Sequence, residues 1–225
     1  MTKVTIIIVA GGSGTRMGAA IPKQFLKIAS KVILMHTIEA FTSVLPQAKI
    51  VVALPQEHIA MWEKLCKEHN FDIPHTTCQG GSTRFASVKN ALSFALEGEY
   101  IAIHDGVRPL VSEAVITNAL DKAKQVGSAI PVVMPVSSLR RATEGSSQSV
   151  DRTEYREVQT PQVFERELIL KAYEQPFSEL FTDDASVVET LGHEIGLSQG
   201  SYENIKITSK VDLATAEAII LNRCM

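Results

Sequence analysis

The residues with the most obvious chemical capacity lie near the start of the chain, in Ala10-Gly11-Gly12-Ser13-Gly14-Thr15-Arg16-Met17-Gly18, with Lys23 shortly after. Four glycines among eight residues let the backbone come close to a ligand and turn successive N–H groups toward an anion. Phosphate is the natural guest, the alternative being a flexible turn after a strand. Arg16 inside such a cradle and Lys23 one short segment later are the charges wanted when a phosphorus under attack gains negative charge and pyrophosphate leaves. On spacing alone they also read as two solvated surface cations. Two familiar phosphate loops are excluded. No lysine follows Gly18, as a P-loop requires, and Met17 stands where a dinucleotide-binding loop carries its third glycine.

Three further groups could do chemistry. Asp105 follows the apolar run Tyr100–Ile103, at the strand end where open α/β sheets place ligands. A carboxylate there can hold Mg²⁺ against triphosphate oxygens, or cap a turn. Arg108 can pair with it or lie near phosphate. Gly80-Gly81-Ser82 runs into a helix carrying Ser87, where backbone groups could read the edge of a base or simply turn the chain. Lys206 lies in Asn204-Ile205-Lys206-Ile207-Thr208, an alternating pattern that reads as a strand with Ile205 and Ile207 on one face. Taken alone, it is a solvated strand residue. Asp183 suits the N-cap of a helix over Asp184–Leu191.

The elements that must position these groups follow an alternating rhythm. Val4–Val9, Ile50–Leu54, Tyr100–Ile103 and Ala129–Val133 predict strands separated by stretches of helix length, the pattern of a mostly parallel sheet. Phe85, Val88, Leu92 and Leu96 form one helical stripe, and Val111, Val115 and Ala119 form another beginning near Ser112, which can cap it. Between Pro135 and Gln162 the rhythm breaks, with extended pieces such as Arg152–Thr160. An arm over about 135–158 is expected, too short for a core of its own and lying on the body or on another subunit. Helices near Glu165–Glu174 and from about Val211, with strands near Glu194–Ser198 and Asn204–Ile207, complete the pattern.

The chain has 225 residues, 45% of them hydrophobic, enough for one large core. The predicted fold is a single Rossmann-like α/β domain over 1–225, with a helix-covered sheet and a protruding β-arm. Lys plus Arg number 22 against 25 Asp plus Glu, and no basic stripe could track a nucleic acid. No apolar run reaches the roughly 18 residues of a membrane span. The three cysteines show no pairing or zinc spacing, so a cytoplasmic protein is expected.

The first glycine-rich stretch with Pro22-Lys23-Gln24-Phe25-Leu26 resembles the signature of sugar-phosphate nucleotidylyltransferases, and closely that of the 2-C-methyl-D-erythritol 4-phosphate cytidylyltransferase family of non-mevalonate isoprenoid synthesis. The likeness continues through Gly80–Ser87, Ile103–Pro109, Gln159–Gln162, Thr182–Ser186 and Asn204–Thr208, covering essentially the whole chain. It implies CTP and a small sugar or polyol phosphate as substrates, with Ala10, Gly11, Gly12, Ser13, Gly14, Gly81, Ser82, Ser87 and Asp105 binding CTP. Ser82 stands where some relatives carry an acid. Asp105 would hold Mg²⁺ or another divalent cation. Arg16, Lys23, Arg152 and Lys206 would be catalytic, while Arg152, Thr160 and Lys206 hold the acceptor phosphate. Asp183 and Asp184 resemble a second acidic element. The implied reaction is direct attack of the acceptor phosphate on the α-phosphorus, without a covalent enzyme intermediate. Rival readings are a ribitol 5-phosphate cytidylyltransferase, a purine-using nucleotidylyltransferase and a non-catalytic nucleotide-binding regulator. A homodimer exchanging its arms is expected, so that Arg152 reaches the partner's site.

Overall fold

The computed structural model describes residues 2–12 and 21–223. Ser13, Gly14 and Arg16, expected in the phosphate cradle, lie outside the described residues.

The chain enters through β1 (Val4–Val9), a β-branched run buried on both faces as a central parallel strand requires. A 3-10 turn at Lys23–Phe25 and the small hairpin of β2 (Lys27–Ile28) and β3 (Lys31–Val32) precede α1 (Ile33–Val44). There follow β4 (Lys49–Leu54), α2 (Gln56–Glu68), β5 (Thr76–Gln79), α3 (Arg84–Leu92), β6 (Tyr100–Asp105), α4 (Glu113–Val126) and β7 (Ser128–Val133). The Ser112 hydroxyl caps α4 by accepting from the Val115 N–H, and Gly127 ends it at φ +82°, a conformation that favours glycine. The hairpin of β8 (Leu139–Thr143) and β9 (Ser146–Val150) then leaves the body. The chain returns through β10 (Glu157–Val158) and β11 (Gln162–Glu165) to α5 (Arg166–Ala172), α6 (Asp184–Glu189), β12 (Gly196–Gln199) and α7 (Lys210–Arg223).

Among the described residues the main sheet has eight strands in the order β10-β7-β11-β6-β1-β4-β5, with β12 also beside β7. Its centre is parallel: Ile7 lies between Val51 of β4 and Ile103 of β6. Because successive side chains alternate across a strand, Ile6 and Ile8 face a core with Phe41, Trp62 and Ala119, whereas Ile7 faces another with Phe85, Val88 and Phe164. A third patch joins Ile207 and Ala216 to Val107 and Leu110.

The sheet is mostly parallel and covered by helices, as the alternating pattern predicts, and β1 matches its predicted span. Four features differ from these expectations or add to them. Strand β11 runs antiparallel to both β6 and β7, and β10 antiparallel to β7. Helix α3 stops at Leu92, so Leu96 lies beyond the buried stripe, 71% exposed. Within Arg152–Thr160, Arg152–Glu154 is a 3-10 turn capped by Asp151, and Glu157–Val158 belongs to the main sheet. Finally, Asn204–Ile207 is not a strand. The Ile207 N–H donates to the carbonyl of Val107 at 2.9 Å, so the segment packs on the loop after β6 instead of joining the sheet edge. Its alternation survives as burial: Ile205 and Ile207 pack in the third patch while Lys206 is exposed.

Candidate active site

The parallel strands β1, β4, β5 and β6 reach the site by their carboxyl ends, and antiparallel β11 reaches it by its amino end at Gln162. Ala10 follows β1 and donates its N–H to Ala53 of β4 at 3.0 Å, while Gly80 donates to Leu54 at 2.7 Å. These backbone bonds draw the two glycine turns to one end of the sheet, next to Asp105 at the end of β6. The cavity between them measures about 280 Å³ and is lined by Gly11, Gly12, Lys23, Ser82, Ser87 and Lys206, among others.

The space beside Gly12 is taken by a flexible side chain, and that beside Gly81 by a helix backbone. A Cβ on Gly12 would fall 2.6 Å from Cε of Lys23, so the lysine side chain lies across the bare backbone of the first glycine turn. A Cβ on Gly81 would fall 2.3 Å from Cβ of Ala86, which no repacking within α3 could absorb. The Ser87 hydroxyl accepts from the Gly81 N–H at 3.0 Å and donates to the Thr83 carbonyl at 2.9 Å. Ser87 thus shapes the turn that faces the cavity, in addition to lining it.

Asp105 is buried beside three cations. Arg108 Nε and Lys206 Nζ each approach its Oδ2 at 3.1 Å, and Arg84 Nε stands 3.8 Å from its Oδ1. Burial alone would raise the carboxyl's pKa, but Lys206, Arg84 and Arg108 outweigh it and hold the group well below the usual carboxylate range. Among the described residues no group of three or more His, Cys, Asp or Glu could hold a metal by itself. A divalent cation that keeps most of its waters and takes the rest of its ligands from phosphate oxygens needs only one carboxylate oxygen. Oδ1, with no hydrogen bond to a described residue, is suited to that.

A second cavity of about 290 Å³ adjoins the first and shares Arg84, Asp105 and Lys206 with it. Its own walls include Gln159, Thr160, Gln162, Thr182 and Asp183. Thr160 is thus where an acceptor-binding residue was expected, but its hydroxyl is committed elsewhere. It accepts from the Asp105 N–H at 3.1 Å and meets Nδ1 of His104 at 2.9 Å. The Arg108 carbonyl, 3.1 Å from His104 Nε2, can only accept, so Nε2 carries the ring proton. Burial pushes His104 down to about 4, which leaves the ring neutral and Nδ1 an acceptor. The single hydroxyl proton of Thr160 therefore goes to His104, and none is left for a phosphate oxygen.

Lys23, Lys206, Asp105 and both glycine turns converge, as the sequence predicts, and Arg108 pairs with Asp105. Arg152 does not join them within the chain. It is exposed on its 3-10 turn, donates to the Val136 carbonyl and lines neither cavity.

The family model for 2-C-methyl-D-erythritol 4-phosphate cytidylyltransferase (IspD) matches residues 4–222. A relative of that name from Bacteroides thetaiotaomicron is 48% identical over 97% of this chain and 100% of its own length. The chain belongs to this family. Another cytidylyltransferase relative, from Bacillus anthracis, is 37% identical over 96% of this chain and 97% of its own. The crystal structure of the Thermus thermophilus enzyme of the same name superposes with a TM-score of 0.78 at 30% identity, covering 96% of this chain and 98% of that one. A 4-diphosphocytidyl-2C-methyl-D-erythritol synthase from Anaerococcus prevotii, 24% identical, shares the fold with a TM-score of 0.82 over 98% of this chain and 96% of that one.

For a cytidylyltransferase, one residue that sequence reasoning passed over is Arg84, which lines both cavities. Its guanidinium is held by Asp184, 100 positions away, with Nη1 and Nη2 at 2.8 and 2.6 Å from the two carboxylate oxygens. Asp183 is the N-cap of α6 in a reciprocal capping box with Ser186, and it accepts from Gln162 at 2.8 Å. The only sequence signal for the Arg84–Asp184 pair was the presence of both residues inside family motifs.

Proposed function

We infer that the chain transfers CMP from CTP to 2-C-methyl-D-erythritol 4-phosphate, forming 4-diphosphocytidyl-2-C-methyl-D-erythritol and pyrophosphate in non-mevalonate isoprenoid synthesis. Besides family membership, the observation that carries this reading is the pair of adjoining cavities sharing Asp105, Arg84 and Lys206. One has glycine turns suited to a triphosphate and a base. The other is polar and suited to a small phosphorylated acceptor, and the reacting phosphorus belongs at their junction.

In this reading Ala10, Gly11, Gly12, Ser13 and Gly14 offer amides to the triphosphate, and Gly81, Ser82 and Ser87 form the cytosine pocket. Lys23 and Arg16 neutralise charge gathering on the α-phosphoryl group and the departing pyrophosphate. Lys206, shared by both cavities, draws the acceptor phosphate toward the α-phosphorus. An acceptor oxygen forms a bond to that phosphorus while the bond to the β-phosphate oxygen breaks, its electron pair leaving with pyrophosphate. A phosphate monoester is already largely dianionic at neutral pH, so no strong base is required. Asp105 would hold Mg²⁺, or another divalent cation in its place. When bound, that ion supplies charge neutralisation to the triphosphate oxygens.

The reading includes a homodimer in which Arg152 of one chain meets the acceptor phosphate in the other's site. Support comes from the base of the arm, where Val136 is 69% and Tyr202 59% exposed, apolar surface suited to burial by a second copy. A cytoplasmic setting accords with the free thiols of Cys66 and Cys78. Among the described residues, no helix is long and apolar enough to cross a membrane.

The test is pyrophosphate release from CTP and Mg²⁺, comparing 2-C-methyl-D-erythritol 4-phosphate with ribitol 5-phosphate. Preference for the former is expected. Turnover only with ribitol 5-phosphate would transfer the site to a different acceptor, and no turnover with either would remove the enzymatic reading.

A further inference from the structure

Asp184 is wholly buried, yet it is a carboxylate beneath the active site with no assigned role. It accepts two hydrogen bonds from Arg84 and a third from the Tyr173 hydroxyl at 2.6 Å. Burial and the neighbouring carboxylate push the Tyr173 pKa up, so the phenol keeps its proton and serves as a donor. The Asp184 carboxylate is held in turn by α6, whose Ala185 N–H donates to Gln162 of β11 at 2.9 Å. The result is a rigid anion on the side of Arg84 away from Asp105.

Arg84 consequently pairs with two carboxylates but hydrogen-bonds to only one. Its fork engages Asp184, while Nε remains 3.8 Å from Asp105 Oδ1. The other oxygen of Asp105 already meets two cations at 3.1 Å. A guanidinium released from Asp184 would find Oδ1 the nearest anion and pair with it, filling the position a divalent cation requires. Arg84 remains charged in its site, because the Asp184 carboxylate outweighs the effect of burial.

We propose that Asp184 is a positioning residue for metal binding, holding Arg84 back so that Asp105 Oδ1 stays open to a divalent cation. The proposal rests on the reading of Asp105 as the residue that holds the metal. It accounts for the buried Tyr173–Asp184–Arg84 chain without having Asp184 touch the ion or substrate.

The experiment is Mn²⁺ binding to the enzyme–CTP complex without acceptor, followed by the electron paramagnetic resonance of free Mn²⁺, so that the readout does not depend on turnover. Asp184→Asn should weaken binding about tenfold or more, the usual effect of losing an outer partner of a metal ligand. The double variant Arg84→Met/Asp184→Asn removes the occluding cation together with its anchor and should bind Mn²⁺ close to the wild-type affinity. If Asp184→Asn does not fold, Asp184→Glu takes its place, since it keeps the buried charge while displacing the Arg84 fork, and it should weaken Mn²⁺ binding in the same direction. Wild-type affinity in Asp184→Asn, or a double variant as weak as the single one, would overturn the proposal. An Asp105→Asn control separates the two layers: if it binds Mn²⁺ normally, the metal role of Asp105 fails and the proposal with it. If only Asp105→Asn weakens binding, the metal role stands and the proposal alone fails.

Discussion

Lys23 lies against the bare backbone of Gly12, an arrangement that would suit the triphosphate proposed for this site. The end of its side chain lies over Gly12, where a Cβ would displace it, and this keeps the ammonium close to the glycine turn. Charge placed this way serves a transition state richer in negative charge than the bound substrate. Lys23→Ala and Arg16→Ala are therefore expected to lower turnover by roughly 10² to 10³, with a much smaller effect on CTP affinity. Steady-state kinetics would contradict this if turnover stayed at the wild-type level and only the Michaelis constant for CTP rose. Thr160 makes a different claim at the same scale. Thr160→Val leaves the Asp105 N–H and His104 Nδ1 without partners, which should lower stability by about 1–3 kcal/mol, whereas Thr160→Ser keeps both bonds. Denaturant unfolding measures the first effect. A selective rise in the Michaelis constant for the acceptor with unchanged stability would instead make Thr160 a phosphate ligand.

At the scale of elements, the turn before α3 bears the tightest steric requirement. Gly81→Ala drives a methyl group into Ala86, so α3 must shift. Overpacking of this kind typically costs about 1–3 kcal/mol, and calorimetric titration with CTP should show weakened binding if the cavity this turn lines takes the nucleotide as proposed. Unchanged CTP affinity would place the base elsewhere. The parts of the fold legible in sequence are those set locally. Val4–Val9 is a β-branched run, and α4 announces itself through Ser112 and its apolar stripe. β11 was not legible, because Gln162–Glu165 is short and its role comes from pairing with β6 and β7, strands distant in sequence. Asn204–Ile207 has the alternation of a strand, but its backbone bond goes to a loop. The site divides in the same way. Lys23, Asp105 and Lys206 stand in recognisable motifs, whereas Arg84 acquires its importance from a carboxylate 100 positions away, and the commitment of the Thr160 hydroxyl depends on a histidine 56 positions away.

At the scale of the molecule, a solvent-exposed hairpin joined to a compact sheet suggests that one chain supplies only part of the chemistry. Arg152 and Lys23 would belong to different chains at each site, and mixing tests this. Inactive Arg152→Ala combined with inactive Lys23→Ala should regain activity on subunit exchange, since each mixed dimer has one site with both defects and one with neither. Recovery should approach about one quarter of wild type per total site for random exchange. A mixture that stays inactive after exchange is verified by mass would confine Arg152 to its own chain or to no role. The two adjoining cavities make the deeper claim that acceptor and nucleotide react directly, phosphate to phosphorus, with the protein supplying position and charge. The most direct measurement uses radiolabelled pyrophosphate and CTP with the acceptor withheld. Direct transfer requires that no label enter CTP and that α-labelled CTP leave none on the protein, while adding 2-C-methyl-D-erythritol 4-phosphate releases one pyrophosphate for each CMP transferred. Exchange of label into CTP without acceptor, or a protein carrying the α-phosphorus, would contradict it.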